Sequence, residues 1–380
     1  MSGRRFKVLQ VGKFYPPHMG GIETHLEALC GELRTRFDVE VVAAKHRPDQ
    51  ASGERLGIKV TRLDTPFSIT SAPVNPGLPA VIRRTAPDLL HIHLPHPGGV
   101  LGLLASGYRG PLVVTYHSDV VRQRIMGGIF RPFLDRVMGR ASAIIATSRG
   151  YMDSSPVLQA HAARCRIVPY GIAVERFDAS GDPRVNDIRR TCGPRLVLAV
   201  GRLVYYKGFD VLLDAMRSVD ARLLLIGDGP LRPSLEAQAR ASGVHHKITF
   251  LGELQNDEAA PYFAAADMFV LPSVARSEAF GIVQLEAMAN GTPVINTSLA
   301  SGVPGVSLHD VSGLTVPPHD APALAVAMNR LFDEPSLRAR FSAAARQRVR
   351  DEFRVELMGE RVAAIYDDAL DARGDARGAA

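Results

Sequence analysis

Short apolar runs recur along the chain, and a longer segment with the spacing of an amphipathic helix separates each run from the next. Apolar runs of this length between turn residues predict buried strands, and strands that alternate with helices predict a mostly parallel sheet. In the first half, strands are predicted at Lys7–Val11, Val39–Ala43, Leu89–His93, Leu112–Tyr116 and Ala143–Ala146. A helix is predicted from about Glu23 to Leu33.

The same alternation begins again after a polar stretch, Ser180–Arg184. The second set of strands is predicted at Leu196–Val200, Arg222–Ile226, Ile248–Leu251, Met268–Leu271, Pro293–Asn296 and Leu314–Val316. Helices are predicted at Asp210–Met216 and Glu352–Leu370. Two rounds of one pattern predict an α/β chain of two doubly wound, Rossmann-like domains that face a central cleft, where the carboxyl ends of the strands bind ligands.

The length of the chain also favours two domains, because 380 residues exceed one core of ordinary size. We expect an N-terminal domain over residues 1–172 and a linker over 173–194. A second domain follows over 195–355, with a terminal helix over 356–372.

Composition restricts the class of protein. Apolar residues make up 46% of the chain and charged residues 22%, as in soluble globular proteins. No apolar run approaches the ~18 residues of a membrane-spanning helix, and the first one is too short for a secretion signal. Cys30, Cys165 and Cys192 have neither paired nor metal-ligand spacing. We therefore expect a cytoplasmic, reduced protein.

The formal net charge of +6 fits phosphate-bearing ligands or an anionic membrane surface. Part of this charge lies in residues 120–140, where arginines are interleaved with apolar residues. That segment fits either peripheral contact with the inner face of a membrane or a basic helix packed by its apolar side, and both interpretations stay open. No pattern of aromatic and basic residues indicates a nucleic-acid partner.

Glu278 and Glu286 form the most informative local pattern. On one ideal helix, residues eight apart lie about 80° and about 12 Å from each other, which suits two separate contacts along an elongated ligand. Gly281 suggests that Glu278 lies in a loop and that the helix begins near this glycine, where free N–H groups can meet a phosphate. Gly291 then ends the helix. Two solvated glutamates on an ordinary helix are the alternative.

Two cations follow directly on a predicted strand, Arg202 and Lys207 in the segment Gly201–Gly208. At a strand end they can hold a diphosphate and stabilise the negative charge that grows on it when a sugar leaves. No Asp-x-Asp sequence occurs, so we expect neither a metal ion nor a cofactor in this chemistry. An exposed turn with two solvated cations is the alternative.

Three further groups follow strands in the first half. Gly20 and Gly21 precede a predicted helix and permit a phosphate to approach the backbone closely, although a tight turn without a ligand has the same residues. His117 can hydrogen-bond a sugar, and Asp119 can orient it or meet the acceptor. His93 shares a strand face with His91, but no Cys, Asp or Glu joins them, so a packed or acceptor-facing role is favoured over a metal site.

Together these segments resemble the family 4 retaining glycosyltransferases of GT-B fold, over nearly the whole chain and in order. The glutamate segment and the Gly-Arg-Leu…Lys-Gly segment carry most of that resemblance. It implies a nucleotide-sugar donor and a lipid-linked or saccharide acceptor, with the terminal helix returning to the first domain. Segments such as Tyr116–Gln123 look most like bacterial mannosyl- or rhamnosyltransferases of surface polysaccharide assembly, which commonly use GDP-sugars.

The resemblance also implies a role for each site residue. Arg202 and Lys207 bind the donor diphosphate, Glu278 the transferred sugar and Glu286 the ribose, while His117 lies against the donor sugar. The residues whose backbone meets the donor are Gly20, Gly21, Gly252, Phe280, Gly281, Ile282 and Val283. Tyr170 departs from the family pattern, where asparagine is common, and we expect it to alter only the linker. A nucleotide-sugar epimerase, a non-catalytic nucleotide-sugar binding subunit and a transferase using a UDP-sugar are the alternatives.

Overall fold

The structure is a computed structural model that describes residues 5–18, 20–69, 72–119 and 124–378. The chain divides into two compact units, one formed by Met1–Gly171 with Val355–Ala380 and the other by Ile172–Arg354. The boundary therefore falls ahead of the expected linker, and residues 173–194 belong to the second unit. Although this segment is largely polar, Val174 and Phe177 within it are buried and so attach it to the fold.

The described part of the first unit contains an eight-stranded sheet and a two-stranded hairpin. Its strands are β1 (Lys7–Val11), β2 (Asp38–Ala44), β3 (Gly53–Arg55), β4 (Ile58–Leu63), β5 (Phe67–Ile69), β6 (Ala72–Val74), β7 (Leu89–Leu94), β8 (Leu112–Tyr116), β9 (Ala143–Ala146) and β10 (Cys165–Ile167). Its helices ahead of the boundary are α1 (Gly21–Leu33), α2 (Leu78–Thr85), α3 (Pro97–Ser106), α4 (Arg124–Arg140), α5 (Arg149–Ser154) and α6 (Pro156–Gln159).

The sheet order is β10-β9-β8-β7-β1-β2-β4-β3, and all neighbours are parallel except β3 and β4. The strand order reverses between β1 and β7. Loops that follow these two strands therefore begin at the point where open α/β sheets bind ligands.

The second unit contains a six-stranded, wholly parallel sheet among the described residues. Its strands are β11 (Leu196–Val200), β12 (Arg222–Ile226), β13 (Ile248–Gly252), β14 (Met268–Val270), β15 (Val294–Thr297) and β16 (Gly313–Val316). Its helices are α7 (Val174–Phe177), α8 (Arg184–Cys192), α9 (Phe209–Ala215), α10 (Arg232–Ala241), α11 (Asn256–Ala265), α12 (Val283–Ala289), α13 (Val303–Val306), α14 (Ala321–Asp333) and α15 (Pro335–Glu352). Short 3-10 helices cover Ala162–Arg164 in the first unit, and Tyr205–Lys207, Met216–Ser218 and His245–Lys247 in the second.

The order of this second sheet is β13-β12-β11-β14-β15-β16, which is the Rossmann order. Its central strands β11 and β14 are almost completely buried, as expected for parallel strands covered on both faces. The strand order reverses between these two strands, so the carboxyl edge of β11 and β14 is the predicted ligand position of this unit.

The last helix, α16 (Val355–Gly378), belongs to the first unit. It packs against α1, and the hydroxyl of its Tyr366 accepts a hydrogen bond from Gln10 Nε2 of β1 at 2.8 Å. The prediction of two α/β domains with parallel sheets is confirmed.

Candidate active site

Lys207 and Glu278 form an ion pair at the reversal of strand order in the second unit. Strands β11 and β14 are parallel neighbours, with Val197 paired to Met268, so the loops that follow them leave the sheet at the same edge. Lys207 lies in the first loop and Glu278 in the second. Their Nζ and Oε2 atoms are 2.6 Å apart, and only 12% and 11% of the two side chains are exposed.

Backbone and hydroxyl contacts fix these two loops to each other. The Val274 N–H donates to the Tyr206 carbonyl at 2.8 Å, and the hydroxyls of Tyr205 and Ser277 are 3.1 Å apart. Gly208 adopts φ +67°, and a Cβ at this position would lie 2.1 Å from the carbonyl oxygen of the other loop's Pro272. The close approach requires glycine here, and it keeps Lys207 beside Glu278.

The electrostatics keep the lysine charged. Burial by itself lowers the pKa of Lys207, but the carboxylate of Glu278, the nearby Tyr206 and the more distant Glu286 together raise that pKa above its ordinary value. Ser273 Oγ donates a second hydrogen bond to Glu278 Oε2 at 3.2 Å. A nearly buried pair of this kind holds a cation suited to phosphate and a carboxylate suited to hydroxyl groups in one place.

Glu278 lies in the loop before α12, as the sequence predicted, and Glu286 lies in the first turn of that helix. Glu286 is half-buried, and burial raises its pKa to about 8, an effect that Lys207 partly offsets. Asn290 Nδ2 at the end of this helix donates to the Glu286 carbonyl at 2.9 Å and to the Phe177 carbonyl at 2.7 Å. The second glutamate is therefore held on a short, anchored helix.

The turn between the two glutamates is also fixed. Gly281 adopts φ +74°, and a Cβ there would lie 2.5 Å from Leu271 Cδ2. The buried Gln284 donates from Nε2 to the Phe280 carbonyl at 3.1 Å and accepts at Oε1 from Asn296 Nδ2 at 2.9 Å. These contacts position the backbone of Phe280, Gly281, Ile282 and Val283, whose role toward a donor stays a prediction.

Glycines with positive φ stand at three adjacent strand ends. Gly201 follows β11, Gly227 follows β12 and Gly252 ends β13. The Gly227 N–H donates to the Gly252 carbonyl at 2.7 Å, and a Cβ on Gly227 would lie 2.2 Å from the Gly201 carbonyl oxygen. Backbone therefore lines this edge of the sheet, next to the loop that carries the exposed Arg202.

In the first unit, His117 is part of a buried hydrogen-bonded group that we call the histidine network. The network comprises Gln10, His91, His93, Thr115, His117, Tyr170 and Tyr366, and its hydrogen bonds join strands β1, β7 and β8 to helix α16. His93 Nδ1 lies 2.9 Å from His117 Nε2, and His93 Nε2 lies 3.0 Å from Gln10 Oε1.

The assigned amide of Gln10 fixes the direction of these hydrogen bonds. Its Oε1 can only accept, so His93 donates from Nε2 and accepts at Nδ1. His117 must then donate from Nε2 to His93 and accept at Nδ1 from the hydroxyl of Tyr170. The histidines are neutral, because burial first of all, and then the neighbouring histidines, lower the pKa values of His93 and His117.

Tyr170 has a different role from the one expected. The sequence suggested that it alters only the linker, but its hydroxyl contacts Nδ1 of His117 inside the first unit. Both ring nitrogens of His117 are engaged by neighbouring side chains, and 2% of this residue is exposed. His93 likewise uses both nitrogens within the network.

The remaining predicted residues of this unit are found near strand ends. Gly20 directly precedes α1, and Gly21 is its first residue. Asp119 Oδ1 accepts from the hydroxyl of Tyr116 at 3.1 Å and from that of Ser155 at 2.8 Å. Of the basic segment 120–140, residues 120–123 lie outside the described residues. A search of the described helices finds none long and apolar enough to cross a membrane.

Sequence reasoning missed Gln10, Tyr366 and His25. Gln10 gave one signal, since it is a polar residue inside an otherwise apolar strand. His25 of α1 lies beside the network, and one ring nitrogen each from His25, His93 and His117 come within 4.8 Å of one another.

Comparison with known proteins agrees with these two units. A family model described as "Glycosyltransferase Family 4" matches residues 19–176, and one described as "Glycosyl transferases group 1" matches residues 186–348. The chain is similar to D-rhamnosyltransferase WbpZ of Pseudomonas aeruginosa, with 34% identity over 70% of each chain. It is also similar to O-antigen chain mannosyltransferase C of Escherichia coli, with 30% identity over 97% of this chain and 100% of the relative.

Among solved structures, sucrose-phosphate synthase from Thermosynechococcus elongatus has the same fold. The TM-score is 0.80, with 23% identity over 97% of this chain and 100% of that one. An epimerase is not favoured, because both of these relatives are named as sugar transferases. The chain belongs to the family 4 glycosyltransferases and is a sugar-transferring enzyme of GT-B fold.

Proposed function

We propose that the protein transfers a mannosyl or rhamnosyl group from a GDP-sugar to a hydroxyl of a saccharide or lipid-linked acceptor. The anomeric configuration is retained, and no metal ion takes part. Two relatives named for D-rhamnosyl and mannosyl transfer support the choice of sugar. The preference for GDP over UDP rests on the resemblance to surface-polysaccharide transferases.

The observation that carries the proposal is the Lys207–Glu278 ion pair at the strand-order reversal. Such a reversal is where open α/β sheets take nucleotides. When the donor binds, its diphosphate replaces Glu278 as the partner of Lys207, and the sugar hydroxyls become the partners of Glu278. Neither charge is then left unpaired in a nearly buried site, which would cost several kcal/mol.

The same residues account for departure of the leaving group. The bond between the anomeric carbon and the diphosphate oxygen breaks, and the bonding electrons stay with the diphosphate. Lys207, in a nearly buried position where little water competes, and the exposed Arg202 stabilise that developing charge. The acceptor oxygen then attacks the same face of the sugar, and its proton passes to the departing phosphate oxygen.

Glu286 is assigned to the ribose of the donor. A carboxylate can accept hydrogen bonds from two neighbouring ribose hydroxyls. Because the pKa of Glu286 is raised, this side chain binds the ribose best at a pH where it has ionised. Asp119 and His93 are proposed for the acceptor side, and the basic segment for peripheral contact with the inner membrane face. Asp119 is assigned by its place after β8, and the basic segment by its charge. His93 lies inside β7 with both ring nitrogens in the histidine network, so its assignment rests on the sequence alone.

A nucleotide-release assay tests the proposal. Purified protein is incubated with GDP-mannose, GDP-rhamnose, UDP-glucose, UDP-N-acetylglucosamine or UDP-galactose, with and without membrane lipid extract and EDTA. We expect GDP release that depends on the acceptor extract and persists in EDTA. Release from a UDP-sugar alone would overturn the donor, loss of activity in EDTA would overturn the metal-free mechanism, and an inverted anomer by NMR would overturn retention.

Lys207→Met is the matched variant in that assay. It keeps most of the apolar stem and removes the cation, so release should fall at least about 100-fold if the amine stabilises the leaving group. Replacing the exposed Lys59 of the first unit with Met removes the same kind of charge and should leave release unchanged. Equal activity of Lys207→Met and wild type would refute the assignment.

A further inference from the structure

Three histidines from different elements of the first unit meet in the interior. His25 comes from α1, His93 from β7 and His117 from the residues after β8. They are 4%, 2% and 2% exposed, and one ring nitrogen of each lies within 4.8 Å of the others. The three imidazoles are therefore a buried group and not a solvated surface cluster.

His25 differs from the other two histidines in the hydrogen bonding of its ring nitrogens. Neither its Nδ1 nor its Nε2 has a hydrogen-bond partner among the residues that the structure describes. Leaving a buried donor or acceptor unsatisfied lowers the stability of the fold. The ring itself is well packed, with its centroid 4.4 Å from that of Tyr170 and 5.3 Å from that of His117. The ring therefore has packing partners, whereas its two nitrogens have no hydrogen-bond partner among the described residues.

The other two histidines already have the outer partners that metal ligands require. His93 donates from Nε2 to Gln10, which leaves its Nδ1 lone pair directed at His117. His117 contacts Tyr170 through Nδ1, and its Nε2 faces His93. Hydrogen bonds from the far nitrogen fix ring orientation in most histidine metal sites.

We propose that His25, His93 and His117 form a site for one divalent transition-metal ion, with a water molecule as the fourth ligand. Three imidazoles and no carboxylate select an ion that prefers nitrogen, and Zn²⁺ suits such a tetrahedral site. The inference does not rest on the proposed function, and the transfer step is assigned no role for this ion.

Metal binding requires a defined rearrangement. Zn–N bonds of about 2.0–2.1 Å place tetrahedral ligand nitrogens about 3.3 Å apart, so the trio must close by up to about 1.5 Å. The hydrogen bond between His93 and His117 is then replaced by two metal bonds. His117 moves its proton from Nε2 to Nδ1 and donates it toward Tyr170, so every ligand stays a neutral imidazole and no proton is released.

Metal content and metal spectroscopy test the site. Untagged full-length protein is stripped with EDTA, loaded with Zn²⁺, passed over a desalting column and analysed by inductively coupled plasma mass spectrometry. We expect one ion per chain and, with Co²⁺ as the probe, the visible absorption of a tetrahedral nitrogen-rich site. Less than one tenth of an ion per chain in the wild type would overturn the proposal.

His25→Phe is the decisive variant, because it keeps the packed ring and removes the two unpartnered nitrogens. We expect it to lose the ion while the metal-free protein melts no lower than wild type in calorimetry. If the His25→Phe protein does not fold, the His25→Leu protein serves the same purpose. The matched control is the adjacent, exposed pair His245 and His246 of the second unit. Replacing both with Ala should leave one ion bound per chain. Retention of the ion in His25→Phe, or its loss in the control, would refute the site.

Discussion

Replacing Glu286 with Gln should stabilise the protein progressively as the pH rises. Burial raises the pKa of this carboxyl from 4.5 to about 8. Below pH 4.5 the group is protonated in both the folded and the unfolded chain and contributes no difference. Between pH 4.5 and about pH 8, folding takes up a proton, so the free energy of unfolding falls as the pH rises. Above about pH 8 the loss of stability no longer changes with pH. Gln cannot ionise, so the variant does not lose this stability as the pH rises.

The structure sets the size of this effect. At about 1.36 kcal/mol per pH unit, the interval from 4.5 to about 8 gives an upper limit of about 5 kcal/mol. Glu286 is half-buried, so solvent screens part of that amount, and we expect about 2 kcal/mol at pH 8. The second unit, Ile172–Arg354, has about 180 residues, for which 1 kcal/mol corresponds to roughly 2–4 °C in Tm.

Differential scanning calorimetry at pH 5, 6, 7 and 8 measures the effect. The chain has no tryptophan, which makes calorimetry preferable to intrinsic fluorescence. The Tm of Glu286→Gln minus that of wild type should grow from near zero at pH 5 to about 4–8 °C at pH 8. Contributions from titrating groups that do not interact with Glu286 cancel in this difference.

The exposed Glu253 supplies the control for loss of a carboxylate, and the Tm of Glu253→Gln should stay close to that of wild type. If Glu286→Gln and wild type have the same pH dependence, or if the variant is the less stable protein at pH 8, the reasoning about Glu286 is wrong.

Three further predictions concern the fixed contacts. Lys207→Met should lower the free energy of unfolding by about 3–5 kcal/mol, because it leaves the buried carboxylate of Glu278 unpaired. In the double variant Lys207→Met with Glu278→Gln, most of the Tm should return, but none of the nucleotide release. Gly208→Ala should cost more than 2 kcal/mol, whereas Gly243→Ala, also at positive φ but with open space around it, should cost about 1–2 kcal/mol; equal losses in calorimetry would contradict this. Tyr366→Phe should cost about 2–4 kcal/mol, since two buried network partners lose a hydrogen bond, and an unchanged Tm would argue against that network.

Much of the fold was readable from the chain because the parallel strands are continuous apolar runs. Leu112–Tyr116, Ala143–Ala146, Leu196–Val200 and Arg222–Ile226 have the predicted bounds. Burial on both faces demands an unbroken run, and the turn residues on either side mark its ends. The expected linker was less accurate, because α8 buries none of its residues and so gives no apolar stripe to recognise.

The two parts of the candidate site differ in how far the sequence reveals them. Glu278 and Glu286 lie within one loop and helix, and glycine marks where that helix begins, so local spacing predicted their placement. The histidine network depends instead on contacts between distant positions. Gln10 and Tyr366 are 356 residues apart, and no local pattern in one chain can reveal such a pair. Tyr170 was misjudged for the same reason.

The assignment of α16 to the first unit has a consequence for the order in which the protein is made. Gln10 is synthesised before the second unit, yet its partner Tyr366 is synthesised only after the whole of Ile172–Arg354. The second unit therefore has its complete chain while the first still lacks the helix that packs on α1. The unit that starts first is the last to receive all of its residues.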